Sequence, residues 1–314
     1  MSYISCPAAA GTRILLVAAG LCLCASVTLP RVAGQKKMKP EEVVLHHLDS
    51  IGSPEARAFR KSAVARGKCT LLVLVGKERV LPGDASFWSD GRCFRSSLRF
   101  PVSDYPAEDL SFDGKKSYVG LLNPNQRSRI GQFLYDHDTI LKEGLLGGVL
   151  STAWPLLEIK AQKLKLKYRG LRVYQDVQTH ELSYQLRKGD YDVDVRLYFE
   201  AETFRHLGTT YMYTIPDSTG GMISPSSSPA ARAADSSKQV STRYTLEERF
   251  GDFHLVENLT IPFRWKVRLT TEGPAQGTLI FSSATRDLSI LEWDIAVEMV
   301  RFNQAVDPQI FVLY

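Results

Sequence analysis

The side chains whose types suit acid–base or metal chemistry form three short groups. These groups are the pair His46 and His47, the run Asp136-His137-Asp138, and the alternating Asp190, Asp192 and Asp194. Adjacent residues of a helix point in different directions, so the histidine pair cannot easily share a metal ion. Alternating aspartates share one face of a strand and could hold a divalent ion, but Asp190 falls in a predicted turn at a solvated edge. The sequence therefore predicts no metal site.

The motifs of the well-marked enzyme classes are missing from the sequence. It contains no Gly-x-Ser-x-Gly elbow, no His-Glu-x-x-His, no Walker loop and no Gly-x-Gly-x-x-Gly after a strand. We therefore predict no catalytic residue and no cofactor, and we expect that the protein is not an enzyme. A hydrolase of an unrecognised type stays a weaker hypothesis.

Residues 1–34 have the pattern of a secretory signal peptide. Arg13 is followed by the apolar run ILLVAAGLCLCASV, and Val32-Ala33-Gly34 supplies small residues after Pro30. The apolar run is short for a membrane span, and small residues after it are typical of a cleavage site. We predict export with cleavage near Gly34, and the alternative is an uncleaved N-terminal anchor helix.

The net charge of the chain is mild. It is formally +5, and removal of Arg13 and Arg31 with the signal peptide would lower it by two to +3. A charge of this size does not favour nucleic acid as a partner, so none is predicted.

Only two cysteines follow the predicted cleavage site, Cys69 and Cys93. A hairpin centred near Leu81 would place them opposite each other, and an exported chain can form such a disulfide. A competing turn at Asp90-Gly91 would spoil that register. The alternative is two buried free thiols.

Apolar periodicity predicts a mainly β chain with two helical parts. Lys37 to Lys61 has helical spacing with a break at Gly52-Ser53-Pro54, and residues 125–157 repeat apolar side chains at helical spacing. Residues 216–239, rich in Ser, Pro, Gly and Ala, are predicted to form a flexible loop. Strand-like runs occupy most of the remainder: 67–76, 86–100, 109–122, 163–175, 180–188, 192–215, 240–250, 253–259, 261–271, 277–281 and 288–302.

About ten antiparallel strands cannot form a flat sheet, because strand twist makes it curl. We therefore predict a mainly β (α+β) fold in one domain, residues 35–314, with a curled sheet covered by a helical lid at about 125–157. A curled sheet under helices leaves a concave apolar cavity that suits a lipid or acyl ligand, and a fully packed core is the alternative. Gly144, Gly147 and Gly148 break the lid into pieces, and we expect alanine at these positions to stiffen it.

The candidate cavity lining consists of apolar side chains from both layers. They are Phe94, Leu98, Phe112, Tyr118 and Leu122 from the sheet, and Leu145, Leu146, Val149, Leu150 and Trp154 from the lid.

Several short motifs carry a family resemblance. They are Arg92-Cys93-Phe94-Arg95, Phe112-Asp113-Gly114-Lys115, Asn123-Pro124, the unit from Asp194 to Phe204, and Ile261-Pro262-Phe263. With the order of signal peptide, helix, strands, helices and strand meander, they resemble the periplasmic lipoprotein-carrier (LolA/LolB-like) family, as a divergent bacterial member. The chain is longer than a typical carrier because of residues 216–239 and extra C-terminal strands.

The resemblance implies an unclosed β-barrel capped by helices, in a periplasmic monomer that holds acyl chains of lipids or lipoproteins. It also implies an arginine latch that donates hydrogen bonds to lid carbonyls. Arg92 is the nearest positional match, but the family's Arg-Pro dipeptide reads Arg92-Cys93 here, so Arg95 is a rival. Envelope membrane proteins are further candidate partners. The competing hypothesis is a non-enzymatic structural or interaction domain of the envelope with a closed core.

Overall fold

The computed structural model describes residues 38–74, 78–158, 163–187, 192–215, 241–274 and 286–313. The predicted signal peptide (1–34), the predicted loop (216–239) and Asp190 lie outside these ranges. Among the described residues, no helix is both long and apolar enough to cross a membrane.

Within the described ranges the chain forms twelve strands. They are β1 Ser62–Val73, β2 Arg79–Asp90, β3 Cys93–Arg99, β4 Ala107–Phe112, β5 Ser117–Val119, β6 Lys165–Tyr174, β7 Val177–Gln185, β8 Asp194–Glu200, β9 His206–Ile215, β10 Thr242–Val256, β11 Leu259–Pro274 and β12 Arg286–Phe302. All lie in one antiparallel sheet of order β5-β4-β3-β2-β1-β12-β11-β10-β9-β8-β7-β6. The end strands β5 and β6 are not paired with each other in the described residues, so the sheet is unclosed. The predicted mainly β half-barrel is confirmed.

In the described part of the chain, four short α-helices accompany the sheet: α1 Pro40–Ile51, α2 Pro54–Phe59, α3 Arg129–Asp136 and α4 Thr139–Lys142. Their starts follow from local sequence. Ser53 and Ser128 cap α2 and α3 by accepting hydrogen bonds from Ala56 N and Gly131 N at 3.2 and 2.8 Å. Single 3-10 turns at Gly148–Leu150, Pro155–Glu158 and Pro308–Phe311 complete the helical structure.

Side chains alternate between two faces of the sheet. The face that packs against residues 139–156 is called the inner face, and it carries the large apolar side chains of the core, such as Phe94, Leu110 and Trp265. The opposite, outer face carries cross-strand ion pairs such as Arg268–Glu292 and Arg264–Asp294. This alternation is the pattern expected when one face of a pleated sheet is buried.

The predicted run Ser86–Phe100 is two strands, and the turn predicted near Leu81 is wrong. The chain reverses at Asp90-Gly91-Arg92, where Gly91 has φ +53°, a left-handed conformation that glycine adopts without strain. Leu81 instead lies within β2, opposite Leu71 of β1.

The shifted turn separates the two cysteines. Cys69 pairs with Gly83 across β1 and β2, whereas Cys93 starts β3 opposite Asp90. Both thiols are free, so the predicted disulfide is wrong and the alternative of free cysteines holds. Burial raises the pKa of the Cys69 thiol to about 12.

Candidate functional site

Residues 139–156, called the central segment, lie against the inner face of the sheet. Nearly every side chain of the segment is buried, and its apolar residues join the sheet residues in one core cluster. The lid residues predicted from sequence are all in it: Leu145, Leu146, Val149, Leu150 and Trp154. The segment therefore fills the concave side of the sheet rather than resting on top of it.

Glycines let the central segment turn within this narrow space. Gly144 has φ +71°, and a Cβ atom added there would lie 2.3 Å from the backbone oxygen of Ala153. Only glycine fits such a close approach in a left-handed conformation. The expectation that alanine would stiffen the segment is wrong here, because it would collide with the segment's own backbone.

Arg60 fastens the central segment to the start of β1. Its Nη1 and Nη2 donate hydrogen bonds to the backbone oxygens of Val149 and Ser151 at 2.8 and 3.2 Å. The guanidinium lies 5.7 Å from the ring centroid of Phe302 and pairs with no carboxylate among the described residues. Burial lowers the pKa of Arg60 to about 10, so the group stays charged at neutral pH.

Glu248 fastens the same segment from the other half of the sheet. Its carboxylate accepts hydrogen bonds from Gly147 N at 2.8 Å, from Tyr211 Oη at 2.8 Å and from Trp265 Nε1 at 3.0 Å. The side chain is fully buried, and burial raises its pKa to about 7 despite the three donors. A proton on Oε2 can be donated to Tyr211 Oη while Oε1 still accepts from Gly147 N and Trp265 Nε1, so all three contacts are compatible with a protonated carboxyl.

The two arginines predicted as a latch have different partners. Arg92 Nη2 donates to the backbone oxygen of Lys142 at 3.1 Å, at the end of α4, so it reaches the helical layer at an exposed position. Arg95 lies on the outer face, where its guanidinium pairs with Asp109 and donates to Ile310 O at 2.9 Å. Alternation along β3 causes this outcome, so Arg95 cannot hold the central segment.

His47 supports the segment through Trp154. The Trp154 Nε1 donates to His47 Nε2 at 3.2 Å, and His47 Nδ1 lies 3.1 Å from Phe204 O. Because an indole can only donate, Nδ1 carries the histidine proton. Burial lowers the pKa of His47 to about 4, which keeps the ring neutral.

The sheet residues predicted as lining divide into two groups. Phe94, Leu98 and Phe112 face inward and are buried in the core. Tyr118 pairs with Ser111, whose hydroxyl donates to Phe311 O on the outer face, and paired residues share a face, so Tyr118 points outward. Leu122 lies in the turn after β5. Tyr118 and Leu122 are therefore not part of the inner lining.

Two voids that the described residues line between the sheet and the central segment are small. One void of about 10 Å³ is lined by Ala65, Phe87, Leu150 and Ile295 among others. A second, of about 20 Å³, lies beside Glu108, Leu146 and Trp293. Each is at most large enough for a single water molecule. An acyl chain does not fit either void, so at these two places it would have to displace the central segment.

Sequence reasoning missed the two inward-facing acids, although a signal was present. Glu248 lies between Leu246 and Phe250 on the apolar parity of β10, and Glu108 shares the parity of Leu110 and Phe112 in β4. Burial raises the pKa of Glu108 also to about 7. Arg60 gave no such signal, because it follows α2 and its partners are 89 and 91 residues away.

No group of metal-binding side chains occurs among the described residues.

No protein-family model and no curated protein matches this chain. Solved structures that match it include a LolA superfamily protein from Nitrosomonas europaea, 10% identical, with a TM-score of 0.40, covering 88% of this chain and 98% of that one. A DUF1329 family protein from Desulfovibrio piger is 8% identical, with a TM-score of 0.42 and coverage of 87% and 96%.

A putative outer membrane lipoprotein-sorting protein domain from Vibrio parahaemolyticus is also 8% identical, with a TM-score of 0.38 and coverage of 85% and 97%. These matches include proteins of the kind that the sequence motifs resemble. At these identities and TM-scores, the function must be argued from the site itself.

Proposed function

We propose that the protein is an exported, periplasmic carrier or binding protein that holds acyl chains of a lipid or lipoprotein against the inner face of its sheet. The observation that supports this is the attachment of the central segment. It is apolar and buried, yet side chains rather than a strand ladder tie it to the sheet. Such a segment can be exchanged for another apolar occupant without breaking the sheet.

The free energy of ligand binding has a gain from burial of the acyl chain and a cost from displacement of the central segment. Transfer of an acyl chain from water yields about 0.8 kcal/mol per methylene, or on the order of 10 kcal/mol for a long chain before ordering costs. Displacing the segment sacrifices its hydrogen bonds to Arg60 and Glu248, each worth roughly 1.5–3 kcal/mol because a charged group takes part. Displacement also exposes the buried apolar side chains of the segment, at about 1.5–3 kcal/mol each, so the closed form is favoured until those side chains meet another apolar surface such as a membrane.

In this proposal the chain works as a monomer, and its donor and acceptor are the membranes or membrane proteins of the envelope. The inner-face residues Phe94, Leu98 and Phe112 would contact the acyl chain. Leu145, Leu146, Val149, Leu150 and Trp154 occupy the same side in the closed form. Arg60, assisted by Arg92, would act as the latch that favours closure.

A structural or interaction domain of the envelope with a permanently closed core is the second candidate. The two voids of about 10 and 20 Å³ between described residues favour it, because neither has space for a ligand in the closed form. The two candidates differ in one property, which is whether the central segment leaves the inner face.

Native mass spectrometry of the protein purified from its own envelope tests the proposal. A carrier is expected to retain lipid or lipopeptide, and added palmitate should displace bound 8-anilinonaphthalene-1-sulfonate. Arg60→Gln should accelerate that displacement, whereas Arg268→Gln on the outer face should not. Absence of co-purifying lipid together with dye that palmitate does not displace would support the closed-core candidate instead.

A further inference from the structure

Residues 303–313, called the C-terminal strap, cross the outer face of the sheet. At one end, Ser62 Oγ donates to Gln304 O at 2.7 Å. At the other end, Arg95 Nη1 donates to Ile310 O at 2.9 Å, and the Phe311 side chain is buried. The strap is thus fixed to β1 at its start and to β3 and β4 at its end.

A groove of about 330 Å³ lies between the strap and the outer face of β1, β2 and β12. Its apolar surface comes from Val64, Trp88 and Met299 on the sheet and from Val306 and Ile310 on the strap. The volume is at the lower end of the range for small-molecule sites. It is more than ten times larger than either void on the inner face.

Two arginines lie at this groove without an acidic partner. Arg66 pairs with Met299 and Arg301 with Val64 across β1 and β12, so the two arginines are diagonal neighbours about 7–8 Å apart on one face of the sheet. Both are exposed, and neither forms an ion pair with any described residue. The one acid in the lining, Asp307, accepts a hydrogen bond from Gln309 N at 2.9 Å.

We propose that the groove binds a small amphipathic anion, namely a carboxylate that carries a short apolar chain. A guanidinium can donate two parallel hydrogen bonds to one carboxylate, and a shared anion would relieve the repulsion between two neighbouring arginines. The apolar chain would lie beneath the strap against Trp88 and Met299. This site is separate from the inner face, since it lies on the opposite side of the sheet.

The contributions of the apolar chain and of the anionic group to binding can be tested separately with three ligands. Octanoate has both, 1-octanol has only the chain, and inorganic phosphate has only the charge. Each can be titrated into the protein while the methyl resonances of Val64, Met299, Val306 and Ile310 are followed by NMR. Octanoate is expected to shift these methyls at concentrations at least tenfold lower than the other two ligands require.

The double variant R66Q/R301Q removes both charges from positions that hold no structural contact to another charged residue. It should weaken octanoate binding at least tenfold. Lys68→Gln is the matched control, since Lys68 lies on the same outer face of β1 but pairs with Asp84 at 2.6 Å and does not line the groove. That variant should bind octanoate like the unaltered protein.

Four results would overturn the assignment. One is octanoate binding unchanged in R66Q/R301Q. Another is phosphate binding as tight as octanoate, which would indicate a plain anion site. The third is a shift of the Leu145 and Val149 methyls in place of the groove methyls, which would assign octanoate to the inner face. Tighter binding of an acidic peptide at the same methyls would likewise replace the small ligand by a protein partner.

Discussion

The buried guanidinium of Arg60 donates a hydrogen bond of 2.8 Å to the backbone oxygen of Val149, a residue 89 positions away in the sequence. The second donor of the same group reaches Ser151 O, two residues further along the central segment. One side chain thus fixes the segment against the first strand of the sheet. The consequences of that contact can be measured.

Arg60→Gln is expected to lower the free energy of unfolding by about 3 kcal/mol. The shorter amide cannot reach both carbonyl oxygens, and a buried acceptor without a partner costs about 1–3 kcal/mol. Arg92→Gln is the matched control, because its hydrogen bond to Lys142 O is exposed and its loss should cost at most about 0.5 kcal/mol. Urea denaturation of the two variants measures the difference. Equal losses would show that Arg60 does not hold the segment.

The carboxyl of Glu248 predicts a pH dependence of stability. Burial raises its pKa from an ordinary 4.5 to about 7, so the folded state holds a proton that the unfolded chain has released. The stabilisation is complete below about pH 4.5 and is lost as the pH rises through about 7. Unaltered protein should therefore lose stability relative to Glu248→Gln across this window, by at most about 1.4 kcal/mol per pH unit.

Urea denaturation of both proteins between about pH 4.5 and pH 8 provides the test of that slope. Glu108 titrates in the same direction, but it is present in both proteins and cancels in the difference. A difference that stays constant with pH, or that grows in favour of the unaltered protein as the pH rises, would contradict the assignment.

Gly144→Ala is expected to cost at least about 3 kcal/mol of unfolding free energy. The left-handed conformation accounts for about 1–2 kcal/mol, and the contact of the new Cβ with Ala153 O accounts for the rest. Gly91→Ala is a matched control, since Gly91 has φ +53° but no atom within 4 Å of the added Cβ. Thermal or urea denaturation compares the two. A Gly144→Ala protein as stable as Gly91→Ala would show that the segment is not packed as tightly as described.

The two free thiols should react at different rates in the folded protein. Cys93 is half-buried, whereas Cys69 is buried and its pKa is raised to about 12, so little reactive thiolate forms. Iodoacetamide without reductant should label Cys93 first and both residues after unfolding. Peptide mapping by mass spectrometry reads this out, and an unlabelled pair in the unfolded protein would indicate a disulfide after all.

The sheet could be predicted from periodicity, because burial of one face makes apolar and polar side chains alternate along each strand. Phe94 and Leu98 alternate with Arg95 and Arg99, and the structure places the two sets on opposite faces. The hairpin at Asp90-Gly91 was harder to predict. Pro82 and Gly83, which lie only a few residues earlier in β2, are turn signals as well. In the structure Pro82 and Gly83 lie within β2, and the chain reverses before them, between Val73 and Arg79, and again at Gly91.

The candidate site could be predicted only in part. The apolar residues of the central segment were found by their helical spacing, but its fastening depends on contacts between residues far apart in sequence. Arg60 has no local pattern, so its role follows only from the fold. Glu248 did have a local pattern. It alternates in phase with Leu246 and Phe250, so it lies on the buried face of β10, where an acid needs hydrogen-bond partners.

A reversible crosslink tests the central claim, that the central segment leaves the inner face to admit an acyl chain. Thr152 N donates to Ser89 Oγ at 3.0 Å, so the two residues are neighbours, and cysteines at these positions are candidates for a disulfide that joins the segment to β2. The double variant S89C/T152C, with Cys93→Ser to prevent other pairing, can be studied oxidised and reduced. The control is S89C with the same Cys93→Ser replacement, because it lacks the partner cysteine at position 152.

The decisive measurement is palmitate binding to this variant, followed by native mass spectrometry in both redox states. We predict that the reduced protein and the S89C control bind palmitate and that the oxidised protein, with the crosslink confirmed by mass, loses at least tenfold in affinity. Equal binding in the two redox states would contradict the account, because the ligand would then not need the segment to move.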